Sequence, residues 1–337
     1  DEEGLRMEGT FSQGIATLPF SAVSSGARSE ELLESLESLL VALPGTLEAF
    51  EVPGVALAVV VGDEVILAEG YGQRDVEGEL PVSGDTLFAI GSSTKAFSTA
   101  LIASLVDEGK VDWDEPVRSY LPDFRLMDEH ATARLNVLDL VTHRSGLPRH
   151  DLARYNSPAS RREIYERLRY FEPNADLREK WQYQNLMYLT AGVLIEELGG
   201  SSWEDQLQQR LLGPLGMERS TTSLDSVKGD EDHARPYTKR EGALTEIPFR
   251  NIEEVGPAGS IFSSAKDMAR WVRMQLAGGE IEGRTILSPA SVLHLHTPVA
   301  VMGAYPPTPH VLNAAYAPGW MVDVYRGHYR VHHGGTI

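Results

Sequence analysis

The chain carries a Ser-x-x-Lys sequence, Ser92-Ser93-Thr94-Lys95, at the junction between an apolar run and a helical pattern. The run Leu87–Ile90 predicts a buried strand, and the residues after it predict an amphipathic helix. Side chains three apart on a helix lie on one face, so the Lys95 amine can approach the Ser92 hydroxyl. The helix N-terminus also offers unpaired N–H groups and a positive dipole end to a developing anion. The pattern predicts an activated serine nucleophile.

The same spacing occurs again in Ser263-Ser264-Ala265-Lys266, at the start of a helical pattern over Ala265–Leu276. A capping box formed by Ser264 and Asp267 explains this copy without any chemistry. The first copy is accompanied by two further polar motifs, Tyr183-Gln184-Asn185 and His333-Gly334-Gly335. We therefore interpret the first copy as catalytic and the second as structural.

The composition disfavours several classes of function. Thirty basic against 49 acidic residues give a formal net charge of −19, which opposes nucleic acids and anionic membrane surfaces as partners. The absence of cysteine excludes disulfides and a cysteine nucleophile, and it leaves the compartment open between the cytoplasm and export with signal-peptide removal. The longest apolar run, Val55–Val61, is far shorter than the roughly 18 residues of a membrane span. We expect a soluble protein.

Neither a cofactor nor a metal is expected. His294 and His296 are two residues apart on a helical pattern, which is the wrong spacing for two ligands on one face. The chain lacks the G-x-S-x-G elbow of an α/β-hydrolase and the H-E-x-x-H motif of a zinc hydrolase. These two rival classes of hydrolase are therefore excluded.

The pattern divides the chain into three parts. Residues 1–28 are rich in Gly and Ser and predict an N-terminal arm. Residues 29–110 and 255–337 predict an α/β (α+β) domain, in which an antiparallel sheet built from both parts of the chain is flanked by helices. Residues 111–254 show little strand pattern and predict an inserted all-helical lobe.

Individual elements follow from turn residues and periodicity. Val55–Val61 and Glu64–Ala68, joined by Gly62-Asp63, predict a β-hairpin. Gly319–Tyr325 and His328–His333, joined by Arg326-Gly327, predict a second pair of strands. Helices are predicted for Ser29–Ala42 and near residues 265–276 and 288–296.

Taken together, the motifs resemble those of the penicillin-recognising serine hydrolases: class C β-lactamases, D-alanyl-D-alanine carboxypeptidases, D-aminopeptidases and family VIII carboxylesterases. The resemblance extends to further segments, Phe88-Ala89-Ile90-Gly91, Leu140–Pro148 (LVTHRSGLP), Pro214-Leu215-Gly216-Met217 and Gly319-Trp320, and spans roughly residues 50–337. It implies a β-lactamase-like fold. The LVTHRSGLP and His-Gly-Gly segments look most like the peptidase and esterase branch.

The resemblance also implies a role for each motif. Ser92 would be the acylated nucleophile, and Lys95 would accept or relay its proton. Tyr183 would lie over the same oxygen, either as a base or as the acid that protonates the leaving group. His143 would stabilise its loop. The expected substrate-binding residues are Asn185, His333, Gly335 and Thr336, with the backbone N–H groups of Ser92 and Thr336 forming the oxyanion hole.

Two features depart from the family pattern. His333 stands where a Lys-Thr-Gly motif would place lysine, and a neutral imidazole is a weaker partner for a carboxylate, so penicillin-like substrates become less favoured. Alternation along the strand would send His332 and His333 to opposite faces, so only one of them can line the site. The chain also stops at Ile337, where the family continues. We therefore expect a truncated C-terminal end, or a C-terminal segment supplied by another chain or a homo-oligomer.

These implications predict a serine hydrolase that cleaves small amide or ester substrates through an acyl-enzyme on Ser92. Peptidase or esterase activity is favoured, with D-amino-acid peptides among the expected substrates and weak β-lactam hydrolysis as a side activity. A β-lactamase or a penicillin-binding DD-carboxypeptidase is the alternative within the class. A non-catalytic relative that binds peptide or forms assemblies is the alternative from another class.

Overall fold

The computed structural model describes residues 6–13, 16–23, 29–151, 158–240, 242–302 and 310–337. Its α-helices are α1 (Ser29–Phe50), α2 (Thr94–Asp107), α3 (Glu129–Arg134), α4 (Val137–Val141), α5 (Arg161–Arg167), α6 (Asn185–Gly199), α7 (Trp203–Leu207), α8 (Gly213–Leu215), α9 (Leu224–Gly229), α10 (Ala265–Leu276) and α11 (Pro289–Leu295). Its strands are β1 (Arg6–Gln13), β2 (Ala16–Val23), β3 (Gly54–Val61), β4 (Glu64–Asp75), β5 (Leu80–Pro81), β6 (Phe88–Ala89), β7 (Tyr237–Arg240), β8 (Ala243–Glu246), β9 (Phe262–Ser263), β10 (Glu280–Ile281), β11 (Arg284–Thr285), β12 (Ala300–Val301), β13 (Val311–Ala317), β14 (Trp320–Tyr325) and β15 (His328–His332). Among the described helices, none has both the length and the apolar content needed to cross a membrane.

The strands pair in an antiparallel manner, as predicted, but the hydrogen-bonded strands of the N-terminal and C-terminal parts form separate sheets rather than the single sheet that was expected. One sheet has the order β12-β13-β14-β15 and comes from the C-terminal part of the chain. Another has the order β3-β4-β5 and comes from the N-terminal part. Within the segment predicted as an arm, β1 and β2 form an antiparallel hairpin, with β1 beside β15 and β2 beside β3. Residues 1–5, 14–15 and 24–28 of that segment lie outside the described residues.

The segment predicted as a helical lobe contains α3 to α9, but it also contains the β7–β8 hairpin. Most residues of these two strands are exposed, and their sequences, YTKR and ALTE, lack the alternation of apolar and polar residues that marks a half-buried strand. The expectation of an all-helical insertion was therefore wrong at this hairpin.

Helix α2, which follows the Ser-x-x-Lys sequence, is buried on every side rather than amphipathic. Each residue from Thr94 to Leu105 is buried. Ala, Ser and Thr fill the face that was expected to meet solvent, and such small side chains let neighbouring elements approach closely. Helix α6 packs beside α2, and Trp271 of α10 stacks on Phe97 with ring centroids 3.9 Å apart. A helix that is buried all round is typical of the centre of a large domain.

Gly319 brings the C-terminal sheet directly against α2. Its φ is +81°, and a Cβ atom at this position would lie 2.0 Å from Thr99 Oγ1 and 3.0 Å from the Lys95 carbonyl oxygen. Thr99 Oγ1 itself donates to that carbonyl at 2.6 Å, so the hydroxyl is held in place. The Gly-Trp motif therefore sets the distance between β14 and the helical turn that carries Lys95.

We predict that Gly319→Ala lowers the free energy of unfolding more than Gly327→Ala does, by about 1–3 kcal/mol. Both glycines have a left-handed φ, +81° and +89°, so both substitutions carry a similar backbone penalty. Only Gly319 has neighbours within 4 Å of an added Cβ. Urea unfolding of the two variants measures the difference, and equal destabilisation would contradict the packing described here.

Candidate active site

Ser92 lies in a short 3₁₀ turn, Gly91–Ser93, between β6 and α2. Gly91 has a φ of +51°, a backbone conformation that residues other than glycine rarely adopt. This conformation turns the chain sharply after the strand. A Cβ atom on Gly91 would lie 2.8 Å from the backbone nitrogen of Thr336. The nucleophile turn and the segment after β15 are therefore in close contact.

Lys95 is completely buried one turn further along the chain. Its Nζ atom lies 3.1 Å from Ser92 Oγ and donates to the carbonyl oxygen of Ala258 at 2.6 Å. The same amine lies 4.8 Å from the ring centroid of Tyr183 and 5.1 Å from that of Tyr188, where the negative faces of the rings favour a cation. The predicted pair of Ser92 and Lys95 is thus brought together in hydrogen-bonding geometry.

Tyr183 and Asn185 lie at the start of α6, close to this pair. The cap of α6 is Gln184, whose side chain accepts from the Leu186 N–H at 2.8 Å, so Asn185 is not used as a cap. Asn185 Nδ2 instead donates to Asp151 Oδ1 at 3.1 Å. Asp151 Oδ2 also accepts a hydrogen bond from Arg149 Nε at 2.6 Å. No motif marked Asp151 in the sequence, although it fixes the orientation of the Asn185 amide.

His333 and His332 point to different sides of β15, as alternation predicted. His332 Nε2 lies 3.1 Å from Asp323 Oδ2, whereas His333 is buried and receives a hydrogen bond from Tyr316 Oη at 2.9 Å on Nε2. The His333 Nδ1–H donates to the Gly334 carbonyl oxygen at 2.7 Å, which assigns the neutral tautomer with the proton on Nδ1. Burial, together with the charge of Lys95, lowers the pKa of His333 to about 3. This position therefore presents a neutral imidazole.

Gly335 allows the segment after β15 to lie against the nucleophile turn. A Cβ atom at this position would lie 1.9 Å from the Ile90 carbonyl oxygen and 2.8 Å from the Ser92 nitrogen. Ser93 Oγ donates to the His333 carbonyl oxygen at 3.1 Å and ties the two segments together. The backbone N–H groups of Ser92 and Thr336 consequently belong to one small region.

A small cleft, open to solvent and with a cavity volume of about 50 Å³, lies over Ser92. Sequence motifs had indicated Ser92, Asn185 and Thr336, but two arginines in its wall, Arg149 and Arg250, carried no recognisable signal. The described residues that line the cleft are Ser92, Arg149, Asn185, Arg250, Ile252, Val255, Ala258, Gly259, Thr336 and Ile337.

The second Ser-x-x-Lys sequence has a structural environment. Ser264 caps α10 by accepting from the Asp267 N–H at 3.2 Å. In a full capping box the Asp267 carboxylate would also accept from the backbone N–H of Ser264. It accepts instead from the backbone N–H groups of Arg219 and Ser220. Lys266 Nζ pairs with Asp85 Oδ2 at 2.5 Å, at the surface.

The two histidines that were rejected as metal ligands contact different aromatic rings. His294 stacks on Trp113 with centroids 5.0 Å apart, and His296 meets the edge of Trp320 at 5.6 Å. Their separate partners agree with the two-residue spacing, which places them on different faces of α11 and its C-terminus.

The β-lactamase family model matches residues 43–337, which include every site segment described above. The chain belongs to the β-lactamase family. This family of β-lactamase-like and penicillin-binding-protein-like serine hydrolases is the one that the motifs predicted.

Relatives of this β-lactamase-family chain come from fungi, bacteria and archaea. It is 34% identical to Unguisins hydrolase ungD' of Aspergillus campestris over 304 aligned residues. The alignment covers 87% of this chain and 55% of the relative. It is 31% identical to Unguisins hydrolase ungD of Aspergillus violaceofuscus, over 86% of this chain and 55% of the relative. It is 23% identical to Protein flp of Staphylococcus aureus strain MW2, over 86% of this chain and 56% of the relative. The chain thus spans just over half the length of these curated relatives. The structure of an octameric penicillin-binding protein homologue from Pyrococcus abyssi matches with a TM-score of 0.72 at 27% identity, covering 86% of this chain and 65% of that one.

We predict that His333 makes this β-lactamase-family chain less stable as the pH falls. Its pKa of about 3 lies below the ordinary value of 6.5, so between these values the unfolded chain binds a proton more readily than the native chain. The stability that the neutral imidazole contributes is present above about pH 6.5 and is lost as the pH falls toward 3, by at most roughly 1.4 kcal/mol per pH unit.

His333→Gln removes this titration and should give a shallower loss of stability between pH 7 and pH 4 than the natural chain shows. Urea unfolding at several pH values measures the slope. The difference in the free energy of unfolding between the two proteins at pH 7 reports the lost contact with Tyr316. It is separate from the slope of the free energy with pH. Identical slopes would contradict the buried, neutral state of His333.

Proposed function

We propose that the protein hydrolyses small amide or ester substrates, including peptides, through an acyl-enzyme on Ser92. The observation that carries this proposal is the buried amine of Lys95, 3.1 Å from the Ser92 hydroxyl, at the base of an open cleft. A buried lysine is costly unless its surroundings compensate, and such groups cluster at functional sites.

In the proposed acylation step, the Ser92 oxygen attacks the substrate carbonyl carbon while its proton passes to Lys95, which accepts it in the form of the enzyme whose Lys95 amine is uncharged. A neutral amine has one lone pair and two N–H groups, so it can accept from Ser92 while it donates to Ala258. The backbone N–H groups of Ser92 and Thr336 stabilise the oxyanion. Collapse of the intermediate breaks the bond to the leaving group, which takes this proton from Lys95, either directly or by way of Tyr183, whose hydroxyl donates to the leaving group and is reprotonated by Lys95.

Deacylation repeats the same steps with water as the nucleophile. Water attacks the acyl carbon, its proton passes to Lys95 or Tyr183, and the Ser92 oxygen leaves and regains a proton. Asn185, whose amide is oriented by Asp151, hydrogen-bonds the substrate amide in this proposal. The segment after β15, which Gly335 allows to lie against the nucleophile turn, would offer its edge to the substrate backbone as an added strand.

The substrate class rests on two further points. The fungal relatives are named hydrolases of unguisins, which supports hydrolysis over binding alone. The neutral His333 places no cation where the Lys-Thr-Gly motif would. Arg149 and Arg250 lie in the cleft wall, and Arg149 is already paired with Asp151, so we expect β-lactams to be poor substrates. We favour peptides, D-configured ones among them, and simple esters.

The decisive test is intact-mass spectrometry after exposure to a fluorophosphonate and, in a separate reaction, to benzylpenicillin. We expect one phosphonate adduct that is lost in Ser92→Ala and retained in Ser263→Ala, the matched serine of the second Ser-x-x-Lys sequence. An adduct with the phosphonate alone fits a peptidase or esterase. A stable penicillin adduct would favour the penicillin-binding alternative, and no adduct with either reagent would favour the non-catalytic one.

The two lysines provide a second matched pair. Lys95→Met should slow phosphonylation of Ser92 by roughly 10²–10⁴-fold, because the proton acceptor is lost. Lys266→Met removes a surface ion pair with Asp85 and should leave the labelling rate within about twofold. Equal rates in the two variants would exclude Lys95 as the proton acceptor.

A further inference from the structure

His143 occupies an unusual position between α4 and the Tyr183 segment. It is completely buried, and its φ is +61°, in the left-handed region that a residue with a Cβ atom adopts at a cost of roughly 1 kcal/mol or more. A strained backbone at a buried position persists only where the surrounding contacts hold it there.

Two hydrogen bonds connect His143 to the residues on either side of Tyr183. The His143 carbonyl oxygen accepts from the Gln182 N–H at 2.9 Å, and the His143 Nδ1 atom accepts from the Gln184 N–H at 3.0 Å. The backbone before and after Tyr183 is thus bound to a single residue. The left-handed φ of His143 is the conformation in which its carbonyl and its side chain make both contacts.

The His143 ring also packs against the site itself. Its centroid lies 4.3 Å from that of Tyr183 and 4.5 Å from that of Tyr316, the residue that donates to His333. Burial, with a further contribution from the charge of Lys95, lowers the pKa of His143 well below its ordinary value. The neutral ring keeps Nδ1 as an acceptor, whereas a protonated ring would present an N–H to the Gln184 N–H and lose the bond.

We propose that His143 is a positioning residue that holds Tyr183 in place beside the Lys95 amine by accepting the Gln184 N–H. The proposal rests on the acyl-enzyme function proposed above, and it gives His143 a specific task beyond stabilising its own loop. His143 is not a catalytic residue in this account, because it acts through the backbone on each side of Tyr183 and contacts no reacting atom.

The test compares three substitutions of His143. Asn carries an acceptor oxygen the same number of bonds from Cβ as Nδ1 and tolerates a left-handed φ. Leu has a similar branched shape but no acceptor. Gly has neither an acceptor nor a ring, but it removes the backbone strain, so Leu and Gly both lose the hydrogen bond while they differ in packing and in strain.

We expect His143→Asn to retain kcat for a p-nitrophenyl ester within about threefold of the natural chain. His143→Leu and His143→Gly should both lose kcat by roughly 10–100-fold, the effect of a misplaced catalytic group, while KM changes by less than about threefold. A merely structural role would follow the stability of each variant, so that kcat would rank with the free energy of unfolding measured in urea rather than with the presence of an acceptor. Equal kcat in all three variants, or Gly matching Asn, would overturn the proposal.

Hydrogen exchange provides a readout that does not depend on activity. Peptides covering residues 182–186 should exchange faster in the Leu and Gly variants than in the natural chain and the Asn variant, as measured by mass spectrometry. If the natural chain is not phosphonylated at Ser92, the proposed function fails, and the exchange pattern alone then decides whether His143 holds this segment. Equal exchange in all variants would overturn the positioning role whatever the activity.

Discussion

The buried amine of Lys95 is the constraint on which the rest of the site depends. Removing an amine from water is costly, so each group around it has to compensate or remain uncharged. The Ala258 carbonyl and the Ser92 hydroxyl provide hydrogen-bond partners, and the rings of Tyr183 and Tyr188 offer their negative faces. The same amine helps to keep His143 and His333 neutral. The buried histidines near the Lys95 amine therefore stay uncharged, and the arginines of the site lie in the cleft wall.

The local signals in the sequence were enough to predict the motif residues and much of the fold. Ser-x-x-Lys places its two side chains on one face of a helical turn, and the Tyr183 and His333 motifs distinguished the first copy from the second, so the contact between Ser92 and Lys95 could be predicted. Strand alternation likewise separated His332 from His333. The strand boundaries at β3, β14 and β15 were predicted to within one residue because turn residues border these strands.

The features that the sequence did not reveal depend on tertiary contacts. The amphipathic pattern expected for α2 was wrong because small polar residues on its outer face are covered by other elements. Asp151 acquires its importance from a contact with Asn185, 34 residues away. The role of Ala258 is carried by its carbonyl oxygen, which every residue possesses and no motif can mark. Such groups become visible only when the packing is known.

The segments that form the site are far apart along the chain. Ser93 bonds to His333 across 240 residues, and Lys95 bonds to the Ala258 carbonyl across 163. The closure of such long loops has to precede these bonds, and a fold rich in distant contacts forms slowly. The nucleophile can therefore become competent only at a late stage of folding, after most helices exist. During refolding, Ser92 would then regain its reactivity only when the whole chain has folded, well after the circular dichroism signal of the helices has recovered.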